Sequence, residues 1–256
     1  MMLWALLFAA GLFVGMVVLQ QVGHGIATRR IALDPEGAKK GAGVIEGAVF
    51  GLLSLLLAFT FSGAVARFDT RRQLVSEEAI RIGTAFDRIK LLPPDTQPGL
   101  RDLFKRYLDA RLETYRNPGD AAKTTAAWQH SLQLQAEIWG QSVEAVKSSP
   151  TTVAGMLFLP AINQMIDITR TRLTATRMHP PPVVYGMLAI TALIGALLAG
   201  YHMAGGKARS WLHTIGFALV IAATAYVILD IEYPRLGLIR VDAADELLRD
   251  VRRQMD

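Results

Sequence analysis

Four long apolar runs stand out along the chain, at residues 2–19, 47–66, 183–200 and 211–229. The first has no charged residue. The second has only Ser54, Thr60 and Ser62 as polar members, the third only Tyr185 and Thr191, and the fourth His213, Thr214, Thr224 and Tyr226. A bilayer core about 30 Å thick is crossed by about 20 apolar residues of helix, so each run is read as a membrane span. No Lys or Arg precedes the first run, and Gln20-Gln21-Val22-Gly23 lacks the small-x-small pattern of a cleavage site. It is therefore read as a retained span. Trp4, Tyr185, Tyr201 and Trp211 sit at run ends, where amphipathic rings favour the headgroup region.

No turn signal follows the second run. Phe68, Val75, Ala79, Ile82, Phe86 and Ile89 continue at helical spacing until Pro93-Pro94, which predicts one helix from 45 to 92, roughly 70 Å long. Three further helices are expected at 100–116, 121–146 and 149–176, with a kink at Pro160, before Pro180-Pro181-Pro182 breaks the chain. Strand-type alternation is absent. The expected fold is an all-α membrane protein with four transmembrane helices. A helical cytoplasmic insert lies between the second and third, and the second span continues into a long cytoplasmic helix. The expected division is 1–66, 67–182, 183–229 and 230–256.

Charge orients this plan. The chain carries 27 Lys and Arg against 22 Asp and Glu, a net +5. Arg67, Arg71, Arg72, Arg81, Arg170, Arg172, Arg177, Arg235, Arg240 and Arg249 fall on the side of the insert and termini; Arg29, Arg30, Lys39, Lys40, Lys207 and Arg209 fall opposite. The excess places the insert and both termini in the cytoplasm. High Ala and Arg usage points to a bacterial cell membrane. No nucleic-acid partner is implied. There is no Cys, which excludes disulfides and thiolate chemistry. His24, His130, His179, His202 and His213 do not pair at metal-ligand spacing, and no catalytic or cofactor-binding motif is present.

The second helix carries a stripe rich in small residues. Gly47, Gly51, Ser54, Ala58, Ser76, Ala79 and Gly83 fall within about 40° of one line, which Phe61, Val65 and Arg72 share. Small residues let membrane helices approach closely, so the stripe reads as a packing seam. Its other reading is a pore face narrowed by Phe61, with Phe59 the candidate constriction on another face.

Three stretches carry a family resemblance. One runs from Gly47 through Phe59-Thr60-Phe61-Ser62-Gly63-Ala64 to Arg67-Phe68-Asp69 and Arg71-Arg72. Another is Leu159-Pro160-Ala161-Ile162-Asn163 with Asp167. The last runs from Leu229-Asp230-Ile231-Glu232-Tyr233-Pro234-Arg235 to Arg240-Val241. Together they resemble the bestrophin-like family of bacterial and plant membrane proteins, similar in architecture to the bestrophins. Bestrophins are pentameric anion channels with four spans per subunit, a pore lined by the second span and a helical cytosolic body. The resemblance implies a homo-oligomer, pentameric by analogy, that passes chloride or other small anions.

Other residues fit this picture as candidates. Glu46 opens the second span, as a first-turn carboxylate favoured by the helix dipole or as an ion-pathway residue; Arg72 is a second vestibule candidate. Asp230, Glu232 and Arg235 read as a membrane-edge ion pair or a subunit contact. Asn163, Asp167 and Arg170 read as helix-surface pairing or as buried polar contacts. Glu77, Glu78 and Arg81 read as surface pairing. The rival function is a membrane-anchored interaction protein that docks partners through Phe104, Tyr107, Tyr115, Trp128 and Trp139.

Overall fold

The computed structural model describes residues 2–33, 42–116, 119–204, 211–233, 237–239 and 242–256. Eight α-helices form among them, and no strand: α1 (Met2–Leu33), α2 (Ala42–Asp87), α3 (Gln97–Arg116), α4 (Ala121–Lys147), α5 (Thr152–Arg177), α6 (Pro182–Met203), α7 (Trp211–Glu232) and α8 (Asp242–Gln254). Four stretches are long and apolar enough to cross a membrane: Leu3–Leu33, Gly43–Leu91, Thr152–Met203, which holds α6, and Trp211–Glu232.

The expected long second helix is present. α2 runs for 46 residues and tightens into a 3-10 turn at Arg88–Leu91 before Pro93. α1 outruns its apolar stretch, continuing through Gln20 and Gly23 to Leu33. Pro160 lies inside a continuous α5. Local chemistry sets other boundaries. The Asp120 side chain accepts from the Lys123 amide at 3.0 Å and caps α4. Pro182 begins α6, where a missing N–H costs nothing.

The chain forms two compact units. One comprises Met1–Ala66 and His179–Tyr233; the other comprises Arg67–Met178 and Pro234–Asp256. In the first, α1 buries Ala5, Ala9, Leu12, Met16, Gln20 and Ala27 along one stripe. It lies parallel to α6: Gly15 faces Leu193, and Gly23 faces Leu197 and Tyr201. The contact is backbone on backbone. A Cβ at Gly23 would stand 2.0 Å from the Leu197 carbonyl oxygen, and one at Gly200 would stand 2.0 Å from that of Gln20. α2 runs antiparallel to α6, with Glu46 at His202 and Phe50 at Gly195.

In the second unit, Ile82, Ile89, Phe104, Tyr107, Leu108, Leu134, Ile138, Phe158 and Ile162 are fully buried in one apolar core. Arginines on α2 and the 3-10 turn fix an antiparallel register with α5. Arg71 donates to the carbonyls of Ala175 (3.2 Å) and Met178 (3.1 Å). Arg81 donates to Gln164 at 2.6 Å and Arg88 to the Leu157 carbonyl at 2.6 Å. The Arg71 bonds satisfy carbonyls that the end of α5 leaves open. Leu248 of α8, and Met255 just after it, join the same core.

Candidate functional site

The spans differ in how much of themselves they cover. Within its apolar window, 50% of α7 is buried, against 28% of α1 and 6% of α2. The bare face of α2 carries Gly47, Gly51, Ser54, Ala58, Phe59 and Phe61, all exposed, while Val65 is half-buried. A Cβ at Gly47 or Gly51 would meet nothing within 4 Å. The opposite side, at Leu53 and Ala64, is buried. Leu52, Leu55 and Phe59 form the bulky edge of the exposed arc, and Gly47, Gly51, Ser54 and Ala58 its small edge.

The small stripe does not continue as one open face down the helix. Ala79 is buried in the core of the second unit, and Gly83 lies near Val251 of α8. Small size there lets α8 pack. Arg72 is exposed and pairs with Asp69 at 3.7 Å, with its guanidinium over the Phe68 ring.

At the start of the span, Glu46 Oε2 meets His202 Nδ1 at 3.1 Å, with the carboxylate largely covered and the imidazole exposed. At the end of α7, Asp230 and Glu232 are both buried. Glu232 Oε1 lies 2.9 Å from His179 Nδ1, and His179 packs on the Tyr233 ring at 4.7 Å. Tyr226 donates to Asp230 at 3.4 Å. Arg235 lies outside the described residues, as do Lys39 and Lys40. Arg29 and Arg30 are exposed near the end of α1, and Asn163, Asp167 and Arg170 are exposed on α5.

One cluster departs from the expected surface pairing. Glu78 is fully buried and bridges two arginines. Arg111 Nε donates to Glu78 Oε1 at 2.7 Å, and Arg172 Nη1 donates to Glu78 Oε2. Arg172 Nη2 stands 3.7 Å from Asp245 of α8. Arg111 donates to the Tyr115 hydroxyl and lies 5.0 Å from the Trp128 ring centre, while Arg172 lies 4.3 Å from that of Tyr115. Burial alone would push the Glu78 carboxyl up. The charges of Arg111 and Arg172, and their hydrogen bonds, outweigh it and hold the group below the usual carboxylate range.

The signal for this cluster was present in the helix periodicity. Arg111 falls on the stripe of Leu100, Leu103, Phe104, Tyr107 and Leu108, Arg172 on that of Met165 and Ile168, and Glu78 beside Val75, Ala79 and Ile82. A charge on an apolar stripe needs a buried partner, and each of these supplies the others. Beside it, Gln135 donates to the Tyr107 hydroxyl (2.9 Å) and to Thr169 (3.1 Å), joining α3, α4 and α5. Burial pushes the Tyr107 hydroxyl up to about 12. Phe104 and Tyr107 are thus core residues, and Trp128 packs on Arg111; of the proposed docking aromatics, Trp139 is the exposed one.

These features define a helical membrane protein with four candidate spans and a second helical unit braced by a buried ion cluster. The family model for the Bestrophin-like domain matches residues 10–245, and the chain belongs to that family. Among solved structures it resembles a bacterial bestrophin homolog from Klebsiella pneumoniae in three forms, each carrying a different point substitution. Their identities are 13%, 13% and 12%, and their TM-scores 0.65, 0.67 and 0.66. The matches cover 95% of this chain and 97%, 97% and 95% of the others. At this identity the likeness concerns the fold. Comparison with curated proteins finds no match.

Proposed function

We propose that the chain is one subunit of a homo-oligomeric ion channel in the cell membrane, with the small-residue face of α2 lining the axis. The supporting observation is the bareness of α2, 6% buried in its apolar window. Inside the bilayer, the bulky edge at Leu52, Leu55 and Phe59 suits a neighbouring subunit or lipid. The small edge at Gly47, Gly51, Ser54 and Ala58 leaves room for an aqueous path, with Phe61 as its narrow point and Val65 beyond it. Pentamers are the family-based expectation. The insert and both termini face the cytoplasm, where α2 continues past Arg72 as the wall of a vestibule. Glu46 sits at the opposite mouth. A symmetric ring of Arg29, Arg30, Lys39 and Lys40 around that mouth would raise local anion concentration, so chloride and similar anions are the proposed permeants.

The absence of Cys makes the test direct. Ser54→Cys in the reconstituted oligomer should lose chloride flux on treatment with a water-soluble thiol reagent, and the parent chain should not respond. Gly51→Leu should still assemble but conduct less. An assembled Gly51→Leu oligomer with unchanged conductance overturns the pore assignment of this face. Loss of assembly makes it a packing seam.

A further inference from the structure

We infer that Arg172, held beside Arg111 by Glu78, is a small-anion seat in the helical unit, filled by the carboxylate of Asp245, and that a free small anion takes this seat when the carboxylate is removed. The inference concerns a different part of the chain from the proposed pore and does not depend on conduction. Its first support is charge. Among the described residues the cluster holds two guanidinium groups, both buried, and Glu78 is the one carboxylate within hydrogen-bond reach of them. Asp245 supplies the second negative charge from 3.7 Å, beyond hydrogen-bond length. Without it, a buried cluster would carry a net positive charge, which is strongly unfavourable in a poorly solvated site.

The second support is the donor inventory. Each guanidinium has five N–H donors. Glu78 takes the Arg111 Nε and Arg172 Nη1 donors, and Tyr115 takes one from Arg111 Nη2. Arg111 Nη1 is buried and has no hydrogen-bond partner among the described residues. Donor capacity therefore exceeds what Glu78 and Tyr115 accept, and at Arg172 the Nη2 group faces the second carboxylate, that of Asp245. Third, α8 and the two residues that follow it have independent anchors: Leu248 and Met255 in the core, Arg252 on Asp109 at 2.9 Å, and Lys105 on Asp256 at 3.0 Å. Removal of the Asp245 carboxylate therefore leaves α8 docked beside Arg172.

The test is chemical rescue in the full-length, detergent-purified protein. Asp245→Ala should melt below the parent in gluconate, an anion too large to enter. Chloride, nitrate or formate at equal ionic strength should raise its Tm by about 3 °C or more. Asp245→Asn, whose amide fills the space without charge, should move by under about 1 °C, as should the parent. Equal melting of Asp245→Ala in gluconate and in the small anions overturns the assignment, as does equal rescue of Asp245→Asn. Should Asp245→Ala fail to accumulate, Asp245→Ser opens nearly the same space and is read by the same two outcomes.

Discussion

The two units of this chain differ in what accompanies their apolar cores. In the unit of α1, α6 and α7, beside an apolar cluster that includes Leu12, Met16, Leu188 and Ile221, Gly23 and Gly200 bring two backbones to where a Cβ would overlap a carbonyl. In the unit of α3, α4, α5 and α8, the apolar core is accompanied by a buried cluster of charges. This is the difference expected of a first unit in lipid and a second in water. Lipid tails are as apolar as Leu, so burying a Leu between spans gains little, and close packing does the work. In water, apolar burial is itself the driving force, and it can offset the cost of desolvating an ion pair.

The largest expected effect comes from adding bulk where the spans touch. Gly200→Leu has backbone, not a flexible side chain, in its way. Its cost should exceed the about 3 kcal/mol typical of overpacking, and the folded peak in size-exclusion chromatography should disappear. Gly186→Leu, on the same helix with nothing within 4 Å, should keep that peak. Equal behaviour of the two would remove close backbone approach as the principle of this unit.

Next comes the charge cluster. Glu78→Gln leaves Arg111 and Arg172 without their shared carboxylate and should cost about 3–5 kcal/mol, read by denaturant unfolding. Acid should act on the same group. Its folded pKa is depressed below the ordinary 4.5, so its contribution is complete above that unfolded value. The contribution is lost as pH falls through the lowered folded pKa. The parent should therefore lose more stability than Glu78→Gln between about pH 5 and about pH 3. Parallel pH profiles would mean that Glu78 does not carry this acid sensitivity.

The same contrast explains what could be read from sequence. Spans and helix ends were legible because they depend on local signals: apolar run length, Pro93-Pro94 and Pro180-Pro181-Pro182. α2 was legible for the same reason, since nothing between Ala42 and Asp87 breaks it. The Gly23–Gly200 crossing was not, because α1 continues past the apolar run that marked it. Its trace is the four-residue spacing of Gly23 with Ala27 and of Ala192, Ala196 and Gly200. Glu78 was misplaced because Glu77 and Arg81 beside it supply an ordinary surface pattern. Only the apolar stripes under Arg111 and Arg172 show that charges far apart in sequence must meet. The bare face of α2 was visible as a stripe of small residues, but periodicity cannot tell a face awaiting a helix from one awaiting water.

The smallest effect tests whether a buried polar group matters equally in both units. Gln20 is 1% exposed in α1, and its Nε2 donates to the Thr214 carbonyl of α7 over a long 3.3 Å. Its Oε1 has no hydrogen-bond partner among the described residues. Interhelical hydrogen bonds in membranes average about 0.6 kcal/mol, whereas an unmet buried acceptor costs about 1–3 kcal/mol. Gln20→Met keeps the length and removes both terms, so it should be at least as stable as the parent in thermal unfolding in detergent. A loss above about 1 kcal/mol, beyond the worth of the bond itself, would show that the amide holds the α1–α7 contact as Glu78 holds its arginines. Polar specification would then extend to the membrane unit as well.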